Sequence, residues 1–70
     1  MEVLVFKTNL NSKKNIQQAI PHIDQLPGLS RWNIDRHDID NVLRIEAHGL
    51  SPRVVENVLQ GVGIYCKELE

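Results

Sequence analysis

The spacing of apolar residues along this chain changes period from segment to segment, and each change marks an element. Val3-Leu4-Val5-Phe6 is apolar on both alternating faces, the pattern of a short central strand. Ile16, Ala19, Ile20, Ile23 and Leu26 then recur at helical spacing, which predicts one buried stripe on a helix over Ser12–Leu26. Pro21 lies inside that stripe. It has no amide to offer the carbonyl of Gln17, so a kink or local break is expected there. Pro27-Gly28 ends the helix. From Leu29 to Arg36, Trp32 and Ile34 alternate with Arg31, Asn33 and Asp35; from Val42 to His48, Leu43, Ile45 and Ala47 alternate with Arg44 and Glu46. The two runs, joined by the mostly polar His37-Asp38-Ile39-Asp40, predict a hairpin. Ser51-Pro52 is an N-cap followed by a proline at the first helical position, where a missing amide costs nothing. Val55, Val58, Leu59 and Val62 form the stripe of a second helix over Ser51–Val62, Gly61 and Gly63 close it, and Ile64–Leu69 is the last strand.

The order strand-helix-strand-strand-helix-strand, with right-handed crossovers, gives an α+β architecture. It is the ferredoxin-like plait: four antiparallel strands in the order 4-1-3-2, both helices on one face, and a single domain over residues 1–70. The expected core is Leu4, Phe6, Ile16, Ile20, Ile23, Trp32, Ile34, Leu43, Ile45, Val55, Leu59 and Ile64. The topology gathers the Asn9–Ser12 link, the His37–Asp40 turn and the Gly61–Gly63 link at one end.

Composition narrows the function classes. A net charge of −1, with acids and bases interspersed, gives no electrostatic footprint for a polyanion. Phe6 is the only aromatic on the strands a plait would use to stack bases, which argues against RNA. No apolar run approaches the ~18 residues of a membrane span, and no signal-peptide pattern follows Met1; a cytoplasmic location without membrane insertion is the expectation. Cys66 is the single cysteine, so no intramolecular disulfide can form. No nucleophile-base grouping, phosphate loop or carboxylate pair is present, and a plait this small has little room for an enclosed pocket, so neither an enzyme nor a resident cofactor is expected.

Order, spacing and punctuation together resemble the heavy-metal-associated domain of copper chaperones and metal-transporting ATPases. Lys7-Thr8-Asn9-Leu10-Asn11-Ser12, followed after Lys13-Lys14-Asn15 by Ile16, stands where that family has Met-Thr-Cys-x-x-Cys and an aliphatic helix residue. Leu26-Pro27-Gly28-Leu29 resembles its Pro-Gly segment, and Val62-Gly63-Ile64 the glycine before its last strand. The resemblance implies the plait. It also places Asn9 and Ser12 at the two cysteine positions and Lys7 at the methionine. Copper(I) and zinc need soft or borderline donors, for which neutral carboxamide and hydroxyl oxygens are poor substitutes, and a cation at Lys7 opposes a metal ion. A metal is therefore not expected at the degenerate positions.

Other groupings have simple structural roles beside a chemical one. Ser12 or Asn11 can cap the first helix. The alternative is an anion held by the helix amides with Lys13 and Lys14. His37, Asp38 and Asp40 form an incomplete set for a divalent ion, with Cys66 as a conceivable fourth group, or else a solvated turn. Cys66 reads as a small buried hydrophobe. Trp32 reads as a core residue at an edge, where its indole N–H can find a partner.

The sheet face turned away from the helices carries Val3, Val5 and Val42, ringed by Lys7, Arg44 and Glu46. An apolar centre within a charged rim is the layout of a modest interface. The expectation is a non-enzymatic binding or regulatory module acting through protein contacts there, with another protein or, as a homodimer, with itself. The alternative is a metal-handling protein that uses His37, Asp38, Asp40 and Cys66.

Overall fold

A computed structural model of the chain describes residues 1–69. The elements are β1 (Glu2–Thr8), α1 (Lys13–Asp24), β2 (Leu29–Asp35), β3 (Val42–Ala47), α2 (Pro52–Gln60) and β4 (Cys66–Glu68). One antiparallel sheet runs β2-β3-β1-β4, the plait that the periodicity predicts.

Alternation decides which side chains meet the helices. Leu4 and Phe6 of β1 stand opposite Ile45 and Leu43 of β3, and all four are buried under α1 and α2 with Ile23, Val55, Leu59 and Ile64. Ile16, Trp32 and Ile34 pack against this cluster while partly exposed. Ile20 is half-buried and stands outside the cluster, where the helical stripe placed it inside. The core also takes Leu10, Ala19, Leu26, Ala47, Leu50 and Cys66, which the expected core omitted. The indole Nε1 of Trp32 donates to Asp24 Oδ1 at 2.9 Å, so the ring closes the edge of the core with its polar atom satisfied.

Four details of the elements differ from expectation. α1 runs unbroken through Pro21. Pro21 lies in the last turn, and both it and Gln17 are exposed, so the carbonyl left without its amide is open to water. β1 extends past Phe6 because Lys7 and Thr8 pair with Lys67 and Cys66. β4 begins only at Cys66, and α2 stops at Gln60. The residues between are used in the turn: Ile64 N–H donates to Leu59 O at 3.0 Å, and Gly63 takes a φ of +82° that other residues rarely adopt.

Gly28 is required by its surroundings. Its φ is +74°, its carbonyl accepts the His48 amide at 2.9 Å, and a Cβ built on it would lie 2.2 Å from the His48 carbonyl oxygen.

Candidate functional site

The end of the sheet above β1 is where the family's metal loop would lie, and polar contacts hold it closed. Thr8 ties the loop to the hairpin: its amide donates to Asp40 O at 3.0 Å, and its hydroxyl donates to Asn41 O at 2.6 Å. The same oxygen accepts the Leu10 amide at 3.1 Å, which turns the Leu10 side chain into the core. Asn9 ties the loop to the α2–β4 link. Its Oδ1 accepts the Tyr65 amide at 3.0 Å, and its own amide donates to Tyr65 O at 3.3 Å. Its carbonyl accepts Asn11 N–H at 2.8 Å and Asn15 Nδ2 at 2.6 Å.

Ser12 is the N-cap of α1, with extended backbone angles. Its Oγ accepts Asn15 N–H at 3.2 Å, and Asn15 Oδ1 accepts Ser12 N–H at 3.2 Å, a reciprocal capping box. Sequence reasoning found the cap but missed Asn15, which replaces the usual Glu or Gln at that position. Lys7 Nζ lies 3.4 Å from Asp40 Oδ1.

The donor set does not fit a soft metal ion. Asn9 Oδ1 and Ser12 Oγ each already accept a backbone amide, and both are neutral oxygens. The alternative ligands are not brought together either. His37, Asp38 and Asp40 share the hairpin turn, where Asp38 Oδ1 accepts Asp40 N–H at 2.8 Å and Asp35 Oδ1 accepts His37 N–H at 3.0 Å. Cys66 is fully buried beneath the sheet, opposite Thr8. Burial, reinforced by Glu56, pushes its pKa up to about 12, so the thiolate form is disfavoured there. Among the described residues no three His, Cys, Asp or Glu side chains converge on a metal position.

The open face of the sheet is the second candidate. Val3 stands opposite Glu46, and Val5 opposite Arg44. Leu69 N–H donates to Val5 O at 2.8 Å, so Leu69 adjoins Val5 and lengthens the apolar strip. Val3 is 52% exposed and Leu69 39%, while Val5 and Val42 are half-buried. Around them Arg31 pairs with Glu46, whose carboxylate raises the guanidinium pKa, and Lys7 pairs with Asp40. Arg44 and Lys67 have no ion-pair partner among the described residues. The rim also carries the exposed Asp35, opposite Val42 and without an ion-pair partner among the described residues, so its free charges are of both signs.

The free edge of β4 is capped from α2. Gln60 Nε2 donates to Cys66 O at 3.0 Å, and Glu56 Oε2 accepts Glu68 N–H at 2.7 Å. Arg53 bridges Glu56 and Glu68, which lets the Glu56 carboxylate be buried. No helix of the described residues is long and apolar enough to cross a membrane.

The sequence matches no family model and no curated protein. Solved structures match it over nearly their whole length. The N-terminal domain of PacS from Synechocystis PCC6803 superposes with a TM-score of 0.83 at 10% identity, covering 100% of both chains. The yeast copper transporter domain Ccc2a, solved in apo and Cu(I)-loaded states, gives 0.83 at 10% identity, over 100% of this chain and 97% of the other. A third structure, described under crosstalk between Cu(I) and Zn(II) homeostasis, gives 0.80 at 13% identity over 99% of this chain and 100% of that one. The resemblance to heavy-metal-associated domains therefore holds at the level of the fold.

Proposed function

We propose that this chain is a small non-enzymatic binding or regulatory module of the cytoplasm, which keeps the fold of a metal-carrying domain without its metal site and acts through protein contacts at the open sheet face. The observation that carries the first half is the pair Asn9 and Ser12. Each occupies a position where the family has a thiolate, and each spends its side-chain oxygen on a backbone amide of this chain. A metal ion would have to compete with a helix cap and an interloop hydrogen bond for two weak donors.

The open face supports the second half. The exposed Val3 and Leu69 flank the half-buried Val5 in one apolar strip, and Arg44 and Lys67 beside it have no ion-pair partner among the described residues. A partner surface with apolar residues between carboxylates matches this layout.

Equilibrium titration with Cu(I), Zn(II) and Ni(II) at matched pH tests the reading. The expected result is no affinity beyond that of an isolated thiol. Tight, stoichiometric binding of any of the three replaces this function with metal handling.

A further inference from the structure

The two edges of the sheet are treated differently. On β4, Leu69 and Asn9–Tyr65 direct the backbone groups of Tyr65 and Leu69 toward β1, so the groups of Cys66 and Glu68 face outward. Those are the groups that Gln60 and Glu56 cap. β2, at the other edge, has no such cover among the described residues. Val5 faces β4, so its β3 partner Arg44 faces β2, and Asn33 answers Arg44. By alternation, the amides and carbonyls of Trp32 and Ile34 point out of the sheet at its free edge. A bulge between Leu29 and Arg31 ends the regular pairing there, leaving Arg31–Asp35 as the usable length.

An exposed edge is ordinarily protected by charge. Here the charges have opposite sign and stand symmetrically about Asn33: Arg31, Trp32, Asn33, Ile34, Asp35. We propose that β2 pairs antiparallel with β2 of a second copy about a two-fold axis at Asn33, joining two four-stranded sheets into one. In that register Arg31 of each copy meets Asp35 of the other on the open face, at a non-hydrogen-bonded position where side chains stand close. Trp32 and Ile34, both half-buried, meet across the seam on the helix face, and their outward backbone groups bond each other. Parallel pairing in register would set Arg31 against Arg31 and Asp35 against Asp35, so the charges select one orientation. Arg31 is free to serve: its Nε holds Glu46, its side chain is 76% exposed, and its terminal nitrogens point to no partner among the described residues. This surface is separate from the open-face strip proposed above and leaves Val3, Val5 and Leu69 uncovered.

Sedimentation equilibrium over a concentration series, with amide exchange followed by NMR, tests the proposal. The wild-type chain is expected to pass from monomer to dimer. The Trp32 and Ile34 amides gain protection as it does so, while the Asn33 amide, already bonded to β3, does not. Arg31→Asp gives a strand with only acids, and Asp35→Arg one with only bases. Each alone is expected to stay monomeric at concentrations where wild type dimerises, and an equimolar mixture is expected to recover the dimer. Val5→Glu, on the open face, leaves dimerisation unchanged. A wild type that is monomeric throughout overturns the proposal, as does a single charge variant that dimerises normally, a mixture that stays monomeric, or loss of the dimer in Val5→Glu. The exchange pattern of the wild-type chain decides the matter even where a charge variant folds poorly.

Discussion

The carboxamide of Asn9 accepts the backbone N–H of Tyr65 at 3.0 Å, across a sequence separation of 56 residues. This bond joins the loop before α1 to the link before β4, and so brings the first and last strands into register at their shared end. Removing it by Asn9→Ala leaves the Tyr65 amide exposed to water and not buried. The expected loss is therefore modest, about 0.5–1.5 kcal/mol in chemical denaturation. Asn9→Asp keeps the acceptor and should recover most of that loss.

Gly28 and Gly49 separate two reasons for a glycine. Both have positive φ, +74° and +68°, yet a Cβ on Gly28 would strike His48 O at 2.2 Å while one on Gly49 meets none of the described residues within 4 Å. Gly49→Ala should cost about 1–2 kcal/mol, the left-handed penalty alone. Gly28→Ala carries that penalty plus displacement of His48 at the end of β3 opposite it, and should melt distinctly lower. Equal melting temperatures would show that β2 and β3 can part at Gly28 without cost.

Ile45 lies at the centre of the sheet, fully buried opposite Leu4 and Trp32. Ile45→Ala should destabilise by about 2–5 kcal/mol, most of the stability of a domain this small. A change below about half a kcal/mol would mean that the cavity closes, a poor fit to a close-packed centre.

The fold was legible because its cues are local: alternation in β3, the stripe of α1, Ser51-Pro52 before α2. What stayed hidden depends on contacts distant in sequence. Leu10 sits in a polar link and gives no periodic signal, yet Thr8 Oγ1 fixes its amide and turns the side chain inward. The capping of β4 by Glu56 and Gln60 requires that α2 lie against that edge, which no local pattern states. At the candidate site the sequence shows neutral oxygens where the resemblance puts thiolates. It could not show that Asn9 had been recruited to Tyr65, because that pairing exists only in the folded chain.

Cys66 gives a pH signature. Its folded pKa is raised to about 12, while an unfolded thiol ionises near ~8.5. Below the unfolded value both states hold the proton and stability is unaffected. Above it the unfolded chain loses its proton first, so stability falls as pH rises toward the folded pKa, with a slope of at most about 1.4 kcal/mol per pH unit. Denaturation at pH 7, 9 and 10.5 should show wild type declining more steeply than Cys66→Ala, in which the other alkaline titrations remain. Parallel declines would mean that the thiol ionises in place.

Placing two thiolates at Asn9 and Ser12 tests whether this loop can hold a metal as the loop of heavy-metal-associated domains does. Asn9→Cys combined with Ser12→Cys removes the Tyr65 bond and half of the capping box, so the apo variant should lose about 1–3 kcal/mol. If the backbone around Asn9–Ser12 retains a geometry that two sulfurs can use, Cu(I) binds stoichiometrically and returns that stability by mass action, seen as a rise in melting temperature with metal. Lys7 stands two residues before Asn9, where the resemblance puts a methionine, and Lys7→Met in that background should tighten binding further by removing a like charge. Wild type titrated in parallel should show no such rise. A double-cysteine variant that folds and ignores Cu(I) would limit the likeness to topology. A wild type stabilised by Cu(I) would reverse the functional reading, since the oxygens of Asn9 and Ser12 would then be released from Tyr65 and Asn15 more easily than their contacts indicate.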